Sequence, residues 1–202
     1  MFAYCESLKW VNISNFDTSK VTAMQGLFAK CYAITSIDLQ NFQTVSAKTM
    51  NNLFDNCQAL TSLNISHFDT SNVINMRQMF DQCRSLTSLD LSNFNTTLVT
   101  DIFNMFFNCE KLEYLDISNF NTKKINSLAS VFMYCRNLKS LNLSSFTIYN
   151  VTNVENILGV AYSKLILCYN ESEMPSHFIN EVKRFENSCL KLCIMNLMFL
   201  II

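Results

Sequence analysis

The sequence predicts an α/β solenoid of stacked coils, and three observations carry that prediction. Phenylalanine stands at Phe2, Phe28, Phe54, Phe80, Phe106 and Phe132, a constant step of 26 residues. Cysteine keeps the same step at Cys5, Cys31, Cys57, Cys83, Cys109 and Cys135. A second aromatic column runs through Phe16, Phe42, Phe68, Phe94, Phe120 and Phe146. A fixed period of this length marks an architecture in which each repeat is one supersecondary unit stacked on the last.

Each unit divides into three elements. Leu86-Thr-Ser-Leu89-Asp-Leu91-Ser alternates at its centre, so Leu89 and Leu91 face one way and Asp90 the other, as in a short strand with one buried face. Val73-Ile-Asn-Met76-Arg-Gln-Met79-Phe80-Asp-Gln-Cys83 places apolar groups at i, i+3, i+7 and i+10, the stripe of a helix of two to three turns. Between such elements lies Phe68-Asp69-Thr70-Ser71, whose short polar side chains are suited to accept from free helix N–H groups. Thr18, Thr44, Thr70, Thr96 and Thr122 repeat that turn.

Strand, turn, short helix and a further parallel strand describe one coil of a right-handed leucine-rich-repeat-like stack. The inward strand columns are Val11, Ile37, Leu63, Leu89, Leu115, Leu141 and Ile13, Leu39, Ile65, Leu91, Ile117, Leu143. The helix adds Met24, Met50, Met76, Ile102, Leu128 and Val154. About seven side chains per coil, at roughly 1.5–3 kcal/mol each, do not offset the ordering entropy of one coil alone, so stability requires the stack.

Residues 1–158 hold six tandem repeats, and 159–202 form a different end. Gly159–Asn170 keeps a strand-like Leu165-Ile166-Leu167 without the Phe and Cys columns, as a degenerate seventh coil. After Pro175, Ser176 opens a predicted helix with Phe178, Val182, Phe185 and Cys189 on one face, a cap for the last coil. The apolar run Leu190–Ile202 is shorter than the ~17–25 residues of a membrane span and is expected to pack on the cap. Membrane contact is expected only through this tail. Met1-Phe2 stands at the mid-repeat place of Met79-Phe80 with no signal peptide before it, as in a fragment or a chain that has lost its N-terminus.

Composition narrows the function classes. Apolar residues make up 50% of the 202, enough for one sizeable core. Net charge is −1, with 15 basic and 16 acidic residues spread along the chain, so no basic stripe suggests nucleic acid. The cysteine column is expected to be a stack of reduced, buried thiols. Disulfides between neighbouring coils are the alternative, since coil spacing lies within disulfide Cα range.

The string Met79-Phe80-Asp-Gln-Cys83-Arg-Ser-Leu86-Thr-Ser-Leu89-Asp-Leu91-Ser-Asn-Phe94, with the Phe-Asp-Thr-Ser-x-Val turn seen at 68–73, resembles the 26-residue surface-protein repeat of the BspA-like leucine-rich-repeat family. The resemblance covers residues 1 to about 158. It implies a curved solenoid with a concave sheet and a binding role, as in bacterial and protist surface proteins that adhere to host or matrix proteins. It implies a cell-surface or secreted location. It carries over no catalytic residue, because the repeat motif is structural. The chain lacks the signal peptide, lipidation cysteine and wall-anchoring tail of a typical member.

Few residues offer chemistry. There are two histidines, His67 and His177, too few for the usual nucleophile–base pairs. His67 takes a column otherwise filled by Asn15, Asn41, Asn93, Asn119 and Ser145, which reads as a polar surface replacement. Cys189 and Cys193 share a helical face without a nearby histidine, so no zinc site is expected. Asp38, Asp90 and Asp116 occupy the outward strand column with Asn12, Asn64 and Asn142, and read as a solvated acidic stripe rather than a cation site. The outward face is otherwise Thr-Ser, and two places break it: Trp10, and Glu113 with Tyr114. Exposed aromatics are the usual anchors of protein recognition.

The expected function is therefore non-enzymatic: adhesion or protein binding to a protein or glycan through the concave face, at Trp10, Asp38, His67, Asp90, Glu113, Tyr114 and Asp116. No cofactor or metal is expected. The alternatives are an intracellular, cytoplasmic scaffold and a truncated piece of a larger repeat protein.

Overall fold

A computed structural model of the chain describes residues 1–147, 150–159, 165–169, 174–186 and 191–194. The elements are β1 (Trp10–Asn12), β2 (Ser36–Asp38), β3 (Tyr114–Asp116), β4 (Ser140–Asn142), β5 (Ile166–Tyr169), α1 (Ser176–Glu186) and β6 (Lys191–Ile194). All pairings are parallel, β1 with β2 and β3-β4-β5-β6 in chain order. The register follows the repeat: Val11 lies opposite Ile37 and Leu115 opposite Leu141. The chain is thus a repeat solenoid of short parallel strands. In the two coils between β2 and β3 the strand segment forms no ladder of its own, and Ser88 bridges to Tyr114.

The columns read from the sequence are the core. The strand column Ile13 to Leu143 is buried throughout, as are Met24, Met50, Met76, Ile102, Leu128 and Val154. The first Phe column stacks ring on ring, with centroids 5.6–5.8 Å apart and planes within 10° from Phe2 to Phe132. Phe42 to Phe146 of the second column are buried as well, whereas Phe16, in the first coil, is 43% exposed. Val11, Ile37 and Leu63 are only partly buried, so this inward column closes fully only from Leu89 onward.

The expected short helix in each repeat is not there; α1 is the one helix among the described residues. The segment from Met76 to Leu86 is a run of tight turns, with Met79, Asp81, Cys83 and Leu86 N–H groups donating to the carbonyls of Met76, Gln78, Phe80 and Cys83. The intervening N–H groups of Met76, Gln78, Phe80 and Gln82 donate to Asp101, Phe103, Met105 and Phe107 of the next coil. Left-handed residues force this alternation: φ is +55° at Gln78 and +59° at Gln82, and Asn52, Asn56, Asn104 and Asn108 repeat it. A non-glycine residue at positive φ breaks the helical path, and Asn bears it better than most. The overlapping turns that begin at Met76, Gln78, Phe80 and Cys83 return side chains to the core at nearly the helical period. The apolar stripe was therefore real, and its helical interpretation was not.

The threonine column also differs from the expectation of helix capping. Thr18, Thr44, Thr70, Thr96 and Thr122 are buried. Each hydroxyl donates to a carbonyl of the next coil, that of Gln43, Asp69, Asn95, Asn121 or Thr147. At four of the five the same hydroxyl accepts the N–H of that residue, at 2.7–2.9 Å. These hydroxyls close the backbone ladder where the chain turns too sharply for strand pairing.

The cysteine column is a column of thiols. Cys31, Cys57, Cys83, Cys109 and Cys135 are buried and unbridged, and Cys5 is exposed. Each buried thiol donates to the carbonyl of the Phe in the preceding coil, from Cys31 on Phe2 to Cys135 on Phe106, at 3.0–3.3 Å. At the C-terminal end β5 extends the sheet beside β4, and α1 packs Phe178 and Val182 inward. Phe178 meets Tyr169 edge-on at 5.9 Å, and Glu181 accepts the N–H of Asn156 on the last coil. Of the apolar tail, Lys191–Ile194 is β6, a strand beside β5. Cys189, the rest of the tail, and the side chains of Phe185 and Cys193 lie outside the described residues.

Candidate functional site

Each three-residue strand turns its first and third side chains to this face and its middle one inward, because alternate side chains of a strand point to opposite sides. The central outward column runs through Trp10, Ser36, Ser88, Tyr114, Ser140 and Ile166, joined by the strand registers and the Ser88–Tyr114 bridge. Small serines leave the three large members standing clear: Trp10 is 67%, Tyr114 58% and Ile166 42% exposed. Trp10 lies four coils from Tyr114, roughly 20 Å at parallel-strand spacing. The structure therefore does not join the two aromatics into one site.

Around Tyr114 the face is braced. Glu113 accepts a 2.7 Å hydrogen bond from the Lys139 ammonium one coil on, and Lys139 lies 5.6 Å from the Tyr114 ring centroid. The hydrogen bond to the Glu113 carboxylate, opposed by slight desolvation and aided by its charge, holds the Lys139 ammonium protonated above the usual lysine range. Next to it Arg84 approaches Glu110 at 3.8 Å. Neither Lys139 nor Ile166 is among the binding residues that the sequence predicts, although Ile166 falls in the strand-like stretch Leu165-Ile166-Leu167. The signal for Lys139 was present, since it stands one period after Glu113 with the opposite charge.

The aspartates of the next column have a structural task. Asp38, Asp90 and Asp116 are exposed, and each carboxylate accepts the N–H of the residue two further on, Gln40, Ser92 or Ser118. Asn12, Asn64 and Asn142 do the same with their amide oxygens. These turns end the strand by giving the backbone a local partner. The Ser92 hydroxyl and amide hold the Asp90 carboxyl below the usual range. A shallow cleft of ≈ 300 Å³ separates Asp90 from Asp116, with Ser92, Ser118 and Asn119 on its walls.

His67 lies exposed, its ring edge-on to Phe68 at 5.2 Å. Asn41, Asn93 and Asn119, its counterparts, donate their amides to Ser14, Ser66 and Ser92 of the preceding coil. His67 opens an ≈ 420 Å³ cleft beside Gln40, Asn41, Gln43 and Asp69. It stands away from Tyr114, on another coil. Among the described residues no cluster of three His, Cys, Asp or Glu is placed to hold a metal, and no helix is long and apolar enough to cross a membrane.

A uniform coil, repeated in register, is the frame on which these side chains are hung. Overlapping stretches of the chain, 1–113, 52–167 and 86–188, match the family described as Mycoplasma protein of unknown function, DUF285. The chain belongs to this family. Overlapping matches are what a tandem repeat produces, since the family pattern fits in more than one position along the stack. No curated protein and no solved structure matches the chain.

Proposed function

We propose that this DUF285 protein is a non-enzymatic binding module of the leucine-rich, BspA-like kind, a right-handed solenoid that offers a concave strand face to a protein or glycan at the cell surface. The observation that supports it most is the braced aromatic on that face: Tyr114 stands exposed, with Lys139 and Glu113 holding its flank. A fixed aromatic loses little side-chain freedom on binding, and its ring serves apolar and sugar-like surfaces alike. Serine, threonine and amide side chains around it provide hydrogen bonds without a large desolvation cost. Asp90, Asp116 and His67 line neighbouring clefts and act as the rim. Trp10 forms a separate contact at the other end.

The test is binding of purified protein to immobilised matrix proteins and to a glycan panel, with the Glu113→Ser/Tyr114→Ser double variant beside it. The proposal expects at least a tenfold loss of affinity for a partner of the strand face, with unchanged thermal stability. Equal binding by the double variant removes the site from this face.

A second reading is an intracellular scaffold, and the unbridged thiol column favours it, because a reducing compartment keeps such thiols free. Thiol counting on denatured protein isolated from its native source separates the two. Protected cysteines favour the exterior, free ones the interior.

A further inference from the structure

On the turn face, away from the strands, one column reads Ala3, Ala29, Asp55, Asp81, Phe107 and Met133. Asp55 and Asp81 are stacked on adjacent coils: the flanking amides Phe54 and Asn56 donate to Met79 and Asp81 carbonyls at 2.9 and 2.7 Å. Coil spacing then places the two Cα atoms roughly 5 Å apart. Both residues are buried, at 7% and 5% exposure, between Ala29 on one side and Phe107 on the other. Among the described residues no ion pair reaches either carboxylate.

The hydrogen bonding of the two is unequal. Asp55 accepts from the Asn56 amide at 2.8 Å, and Asn52 supports it further. Asp81 accepts from Gln78 at 2.7 Å on Oδ2, but its Oδ1 is buried and accepts from no described group. The side-chain oxygen of Asn104, one coil on, is buried in the same condition. What Asp81 Oδ1 lacks is a hydrogen, which a proton on the carboxyl supplies.

We infer that Asp55 and Asp81 carry a single proton between them in the folded solenoid, held on Asp81, so that this face is a proton-sensitive joint between the third and fourth coils. An O–H at Asp81 turns the orphan acceptor into a donor and removes one of two like charges stacked in an apolar column. The other charged or titratable groups facing the pair are the Lys30 ammonium beside Asp55 and the thiols of Cys57, Cys83 and Cys109. The thiols stay neutral, because burial raises them. Burial and the charge of Asp55 push Asp81 up to about 6, against the help of Gln78, whereas Asn56, Asn52 and Lys30 restrain the rise at Asp55. Loss of the proton leaves a buried charge with an unpartnered oxygen and loosens the joint.

The experiment has two arms on the full chain. Carboxyl-carbon NMR titration of the wild type should show the Asp81 signal moving with a midpoint near 6, and Asp55→Asn should lower that midpoint. An Asp81 midpoint in the ordinary aspartate range overturns the inference, and a midpoint unmoved by Asp55→Asn overturns the sharing. Urea unfolding from pH 4 to 7 is the second arm. The folded-to-unfolded ratio of wild type should fall roughly tenfold relative to Asp81→Asn over that range. Parallel pH profiles refute the joint, and if Asp81→Asn does not fold, the titration arm decides.

Discussion

Replacing Thr70 by valine tests the reading of the threonine column most sharply. Valine matches threonine in shape and is more apolar, so a residue that merely fills the core should tolerate the change or gain by it. In the structure Thr70 is fully buried, and its hydroxyl donates to the Asn95 carbonyl at 3.0 Å and accepts the Asn95 N–H at 2.8 Å. Valine deletes both bonds and leaves a backbone donor and acceptor facing a methyl group. At a net ~1 kcal/mol per bond the loss is about 2 kcal/mol, and more if water does not reach Asn95. Thr70→Ser keeps the hydroxyl and drops one methyl, at a cost of about 1 kcal/mol. Urea unfolding followed by circular dichroism gives the ranking, and amide exchange at Asn95 localises it. The expected order of stability is wild type, then serine, then valine, with Asn95 exchange accelerated most in the valine variant. A valine variant as stable as the serine one refutes the interlock.

Other expectations follow from the same architecture. Phe80→Ala, in the middle of the ring stack, should cost about 3–5 kcal/mol, and Phe16→Ala, at the half-exposed end of its column, markedly less by the same urea titration. Both Asn52→Gly and Asn52→Val lose the support to Asp55, and the valine variant should be the less stable by about 1–2 kcal/mol because a β-branched residue is forced to φ +58°. In native protein a thiol reagent should label Cys5 well ahead of the buried column, since burial pushes Cys135 up to about 12 and the others in the same direction. Equal labelling rates contradict the buried stack. For Asp81 the sign is that of a raised acid: its proton stabilises the fold fully below about 3.8 and the benefit is lost as pH rises towards 6. Solvent screening brings the size to about 1–2 kcal/mol.

Much of the site was legible for the same reason as the fold. A column is visible in the sequence as a 26-residue periodicity, and a functional candidate is visible as a break in it. Trp10, Glu113 and Tyr114 broke the Thr-Ser column, and the structure leaves Trp10 and Tyr114 as its most exposed aromatics on that face. Lys139 does not stand out by residue type, because a lysine in a polar column looks like any solvated charge until its partner is placed opposite. The aspartates at 38, 90 and 116 read as a solvated acidic stripe and are exposed, but the turn each one closes is formed by a backbone N–H, which one-letter patterns do not display.

By itself the sequence determined which columns form the core, because they recur at a fixed step and only a stack can bury them together; Phe16, Val11, Ile37 and Leu63 stay partly open towards the first coils. It also determined that neighbouring strands run parallel in a register of one repeat. What the chain does between strands was decided by the tertiary structure alone. A helix satisfies its own backbone, whereas the run from Met76 to Gln82 sends every second N–H into the next coil. The choice between those paths depends on a partner 25 residues away, and no local pattern of apolar residues records it.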